Sequence, residues 1–205
     1  MINADRRPRD IIVVGGSAGS VVPIMSLLES LPSDLPAALA VVLHRHPFHE
    51  TQLPQVLGRR CPLTVIEPMD GDTVQRGVVY VAPRDHHMLF ADGIVRLDRG
   101  PKQHRTRPAI DPLFMSASAA YGPRVLGVLF SGLGSDGVSG FLTIKAAGGL
   151  TLVQSPRDAQ FPTMPLRALR EDDVDGALDA AELGDAVAVL AAGGVFTDAA
   201  RPAPA

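Results

Sequence analysis

Ile11-Ile12-Val13-Val14-Gly15-Gly16-Ser17-Ala18-Gly19-Ser20 is four apolar residues that stop abruptly in a turn of glycine and serine. A run this short and continuously apolar predicts a β-strand covered on both faces, as in a parallel sheet. A helix over 21–30 follows, with Val22, Met25 and Leu28 on one side. Pro23 is tolerated in its first turn, and Pro32 closes it. The same strand–turn–helix sentence then repeats. Ala38 to Leu43 is a second apolar strand, ending at His44. Val125 to Phe130 is a third, ending in Ser131-Gly132-Leu133-Gly134-Ser135-Asp136-Gly137, and a strand over Leu150 to Gln154 comes after the next helix. The pattern predicts an α/β fold: an open, mostly parallel, doubly wound sheet with flanking helices.

Between these landmarks the chain suggests a helix over about 51–59, short strands at 64–66 and 77–82, and a β-hairpin of 87–90 with 94–97 about Ala91-Asp92-Gly93. A helix over 111–121 should start with Asp111 as its N-cap and Pro112 in the first helical position. A terminal helix is expected near 180–192. Residues 1–10 read as an N-terminal extension, 11–196 as one domain, and the alanine- and proline-rich 197–205 as a disordered tail.

Composition narrows the function classes. With 205 residues, 46% hydrophobic and 20% charged, the chain can bury the core of one globular domain. A net charge of −3 lacks the basic surplus of a nucleic-acid binder. Cys61 stands alone, which suits a reducing compartment, and no apolar run approaches the ~20 residues of a membrane span. The expected location is the cytoplasm, with no membrane insertion.

Three apolar strands each end in a loop with a different polar residue: Ser17, His44 and Asp136. In an open parallel sheet the crevice beyond the carboxyl ends of the strands is where ligands bind, so the three can converge there. They are the residue types of acyl transfer: a nucleophile, a general base, and an acid that orients the base. The amides of Ala18 and Gly19 at the start of a helix suit an oxyanion, with a further donor from the Leu133–Gly134 backbone. Two other chemistries compete for these loops. The glycine-rich turn suits a phosphate or dinucleotide, yet the second strand ends in Leu43-His44-Arg45 without the acidic residue a ribose needs. His44, His46 and His49 have the H-x-H-x-x-H spacing of a metal-dependent hydrolase, with His104 as a further ligand, but Phe48 stands where such a loop carries aspartate. No metal and no cofactor is the expectation.

Seven segments in order carry a resemblance over about 11–189. They are Val14-Gly15-Gly16-Ser17-Ala18-Gly19, Leu43-His44-Arg45-His46-Pro47, Tyr80-Val81-Ala82-Pro83, His87-Met88, Arg107-Pro108-Ala109-Ile110-Asp111, Ser131 to Gly137, and Met164-Pro165. Together they resemble the catalytic domain of the chemotaxis protein-glutamate methylesterases (CheB-type). The resemblance implies a serine esterase with Ser17 as nucleophile, His44 as base and Asp136 as its partner. It also implies hydrolysis of glutamate methyl esters, and deamidation of glutamine, on methyl-accepting chemotaxis receptors. The extra residue in Leu43-His44-Arg45-His46-Pro47 also allows His46 to align with the base; His44 is chosen because it ends the strand. Arg105, Arg107 and Met164 are candidates for substrate contact, the arginines as part of a basic rim. Regulated members carry a receiver domain ahead of the esterase. Only residues 1–10 precede the first strand here, so the likeness is to the stand-alone form, regulated, if at all, in trans. The competing class is a non-catalytic module that binds receptors or signalling partners.

Overall fold

In the computed structural model, which describes residue 2 and residues 5–45 and 52–197, β1 (Ile11–Gly16) is the middle strand of a seven-stranded sheet. The other strands are β2 (Ala38–Leu43), β3 (Thr64–Ile66), β4 (Val78–Val81), β7 (Val125–Leu129), β8 (Leu150–Gln154) and β9 (Gly176–Leu178). Their order is β3-β4-β2-β1-β7-β8-β9, and every pair is parallel. A separate antiparallel hairpin joins β5 (His87–Ala91) to β6 (Ile94–Asp98).

The apolar runs form strands here because both faces are covered. Ile12 and Val14 point into one core layer with Leu39, Val41 and Val128, under α1 (Val21–Ser30), α2 (Leu53–Gly58) and α6 (Ala180–Ala191). Ile11 and Val13 point into the other layer with Ala40, Val42 and Leu129, under α3 (Ile110–Tyr121), α4 (Val138–Ala146), α5 (Thr163–Glu171) and the hairpin. All six residues of β1 are buried, so the period-2 alternation separates two apolar layers instead of core from solvent. Arg9 and Asp10 pack against this body, 2% and 5% exposed, and Ile2 pairs antiparallel with Phe196.

The chain leaves β1 toward β2 and later returns to β7 on the other side. β1 and its two neighbours therefore flank a point where the winding direction reverses, the usual place for a crevice at the carboxyl edge. The hydrogen-bond register sets what lines it. Gly16 pairs with Leu43 and Gly15 with Leu129, so Ser17, His44 and the 131–137 loop leave the sheet side by side.

Candidate active site

Ser17 lies one residue beyond β1. Its N–H donates to the Ser131 carbonyl at 3.0 Å, and the buried Ser20 hydroxyl donates back to the Ser17 carbonyl at 2.5 Å. Gly19 completes the turn at φ +75°, where a side chain would be strained and would press on Gln160 and Phe161. Ser131 holds the far side: its hydroxyl donates to the Ala18 carbonyl at 2.8 Å, and its N–H donates to Gln154 Oε1 at 3.0 Å. The chain between β1 and α1 is thus tied to β7 and β8 as well as to itself.

His44 follows β2, and its N–H donates to the Gly16 carbonyl at 3.2 Å, extending the β1–β2 ladder by one bond. That extra bond sets the imidazole beside Ser17. His44 Nδ1 is 2.9 Å from Ser17 Oγ, and His44 Nε2 is 2.7 Å from Asp136 Oδ2. Asp136, 2% exposed, accepts from the Ile110 N–H at 2.7 Å on Oδ2 and from the Asp111 N–H at 2.9 Å on Oδ1. Burial pushes the Asp136 carboxyl up, but the His44 hydrogen bond and the two main-chain donors outweigh it and hold the group below the ordinary carboxylate range. An ionised carboxylate only accepts, so His44 carries its proton on Nε2 and leaves Nδ1 as the acceptor facing the Ser17 hydroxyl. The three side chains, separated by 27 and 92 residues, form one unbroken line of hydrogen bonds.

Four amides expected to bind an oxyanion, those of Ala18, Gly19, Leu133 and Gly134, have no hydrogen-bond partner among the described residues. Gly132, which precedes Leu133, lies against the serine: a methyl group on Gly132 would come within 2.9 Å of Ser17 Cβ. Leu133 itself is 60% exposed at the rim.

The residues suggested for substrate contact divide. Arg105 is exposed. Arg107 is turned inward: its guanidinium is held by Asp85, with Nε to Oδ1 at 3.0 Å, and donates to the carbonyls of Arg99 at 2.8 Å and Gly100 at 2.6 Å. It clamps the 99–109 loop onto the hairpin. Met164 is fully buried beneath Gly132, so it shapes the floor of the site. His46 and His49, the alternative base and metal ligands, lie outside the described residues.

Asp111 departs from expectation. The N-cap of α3 is Ala109, and Asp111 sits one position inside the helix. Its carboxylate reaches across to α4, accepting from the N–H groups of Gly137 at 2.9 Å and Gly140 at 2.7 Å. Asp136 in turn accepts from the first N–H groups of α3, so each aspartate caps the other's helix. His104 Nε2 lies 2.8 Å from Asp111 Oδ2. Among the described residues, His104, Asp111 and Asp136 alone form a group whose ligand-type atoms all lie within 4.8 Å of one another. Both carboxylates there are already occupied by main-chain donors, an arrangement suited to hydrogen bonding more than to metal.

The family model described as CheB methylesterase matches residues 12–187. A protein-glutamate methylesterase/protein-glutamine glutaminase from Symbiobacterium thermophilum is 37% identical over 162 residues, which are 78% of this chain and 45% of that protein. A relative from Leptospira interrogans, named for the same two activities, is 31% identical over 86% of this chain and 92% of its own length. The crystal structure of the Thermotoga maritima CheB methylesterase catalytic domain superposes with a TM-score of 0.83 at 30% identity, covering 87% of this chain and 97% of that one. The chain spans about half the length of the first curated relatives it matches, 45% and 53% of two of them. With a family model covering most of the chain and a solved catalytic domain matched almost end to end, this chain belongs to the CheB methylesterase family.

Proposed function

We propose that this protein is a serine esterase that removes methyl groups from glutamate methyl esters on methyl-accepting chemotaxis receptors. The observation that carries the reading is the hydrogen-bonded line Ser17–His44–Asp136. Ser17 Oγ attacks the ester carbonyl as its proton passes to His44 Nδ1, and the oxyanion forms beside the amides of the 17–19 and 132–134 loops. The imidazolium is held through Nε2–H by Asp136 and returns the proton to the departing methoxide, which leaves as methanol. Water then gives a proton to His44 and adds to the acyl-enzyme, and Ser17 recovers its proton as free glutamate is released. With a glutamine side chain the same steps expel ammonia, so deamidation is part of the reading.

The engagement of both His44 nitrogens by Ser17 and Asp136 favours a base over a metal ligand at this position. A catalytic role also accounts for the buried, low-lying Asp136 carboxyl better than a purely receptor-binding module does, since binding alone needs no such group. The substrate is a glutamate-rich receptor helix, and exposed Arg105 suits its recruitment. No helix among the described residues is long and apolar enough to cross a membrane, which fits a chain acting on the receptors' cytoplasmic portion. The test is methanol release from methylated receptor. Wild-type protein should release it and Ser17→Ala should not; equal rates would overturn the proposal.

A further inference from the structure

Behind the Ser17–His44–Asp136 line lies a second imidazole–carboxylate pair. Asp111 and Asp136 are each 2% exposed, and both belong to the reciprocal caps of α3 and α4. Asp111 Oδ1 is saturated by Gly137 and Gly140, which leaves Oδ2 as its outward-facing acceptor. His104 Nε2 fills that acceptor at 2.8 Å and stands 3.8 Å from Asp136 Oδ1. His104 reaches this place from an irregular loop. His104 and Arg105 both have positive φ, 49° and 63°, in a tight turn closed by paired main-chain hydrogen bonds between Gln103 and Thr106. A non-glycine pair in the left-handed region is uncommon; the turn's own paired hydrogen bonds hold it, and it delivers the imidazole to Asp111.

We infer that His104 and Asp111 are positioning residues for Asp136: the imidazole locks the Asp111 carboxylate onto the N-terminus of α4, and that lock holds the 134–137 turn so that Asp136 stays on His44 Nε2. The inference rests on the triad reading above. Neither residue touches the reacting atoms, so both act through Asp136. Asp111 needs such a partner. Burial raises its carboxyl above the ordinary value, with the neighbouring Asp136 charge adding to the effect, although the Gly140 and His104 hydrogen bonds oppose it. Without His104, water or a proton takes the Oδ2 position, and the clamp on Gly137 and Gly140 loosens.

The experiment compares His104→Ala and His104→Gln with wild type in ester hydrolysis, using a methylated receptor-helix peptide. Thermal unfolding and the low-field proton resonance of the His44–Asp136 hydrogen bond are followed alongside. The glutamine amide nitrogen is as many bonds from the backbone as His Nε2, so it can donate to Asp111 Oδ2. Alanine should lower kcat about 10-fold, short of the ~100-fold that an ångström of misplacement costs. KM should hold within about twofold, because a group remote from the substrate changes no ground-state contact. The low-field resonance should broaden or shift, and glutamine should restore both kcat and resonance. Unchanged kcat and resonance in His104→Ala would overturn the inference. So would a rise in KM alone, which would make His104 a substrate contact, and so would failure of a properly folded His104→Gln variant to restore kcat and the resonance. If wild-type protein does not hydrolyse the ester, or if Ser17→Ala hydrolyses it as fast as wild type, it is the underlying triad reading that has failed.

Discussion

Replacing Gly132 by alanine places a methyl group 2.1 Å from Met164 Sδ, 3.1 Å from Met164 Cε and 2.9 Å from Ser17 Cβ. Taking ~3.5 Å as the closest comfortable contact, the sulfur must retreat about 1.4 Å and the serine about 0.6 Å. Met164 is fully buried, so its retreat overpacks the core at a cost of about 1–3 kcal/mol. The serine shift works on the 2.9 Å bond from Ser17 to His44, and a displacement of that size should lower kcat by ~10-fold or more. Met164→Ala distinguishes the two effects. Alone it costs ~2–5 kcal/mol through the cavity it leaves. Combined with Gly132→Ala it removes the sulfur clash, so the double variant should be more stable than the sum of the single losses by ~1–2 kcal/mol. Its activity should stay low, because the contact with Ser17 Cβ remains. Urea unfolding midpoints at constant m-value and ester hydrolysis on the same preparations give both numbers. Wild-type stability and turnover in Gly132→Ala, or strict additivity in the double variant, would refute this packing argument.

Three further outcomes are expected. Asp136→Asn supplies one oxygen where three N–H groups now converge, so it strands a buried donor for ~1–3 kcal/mol and lets His44 turn its Nδ1–H toward Ser17; kcat should fall by ~10⁴, measured as methanol release. Arg107→Ala should lower Tm and expose the 99–109 loop to proteolysis with little change in KM, whereas Arg105→Ala should raise KM in a salt-dependent way and leave Tm alone; the reverse assignment would restore Arg107 to the rim. Acid stability reports the paired carboxyls. Burial pushes Asp10 up, yet Arg124 and Arg76 outweigh it, so Asp10, like Asp136, lies below the ordinary 3.8. A depressed carboxyl stabilises fully above its unfolded value and loses that contribution as pH falls through the folded one. Wild type should therefore lose stability below about pH 3.8, and Asp10→Asn should lose less over the same range in circular-dichroism titrations.

Much of the fold was legible because the apolar runs are short, unbroken and followed by glycine turns. Val21–Ser30, Ala38–Leu43 and Leu150–Gln154 form where they were expected. α5 and β9 were not anticipated. Pro156, Pro162 and Pro165 interrupt the helical period, although Pro165 falls in the first turn, where its missing N–H is harmless. Gly176–Leu178 is a three-residue edge strand and too short to give a period. At the site, strand ends were enough to gather Ser17, His44 and Asp136, since a parallel sheet delivers all its carboxyl ends to one edge. Asp111 was misplaced for the opposite reason. Its local setting before Pro112 imitates an N-cap, while its real partners, Gly137 and Gly140, come from a helix that meets α3 only in the folded molecule. Arg107 belongs to the same class: its clamp on Asp85 and two loop carbonyls depends on a loop path with no periodic signal.

Ester hydrolysis here depends on Ser17 being an activated nucleophile, and covalent labelling tests that most directly. Wild-type protein treated with a fluorophosphonate should gain one adduct mass, mapped to the peptide that contains Ser17, and His44→Gln should slow its formation at least 100-fold. An adduct on another residue, or none on a preparation that still releases methanol, would contradict it.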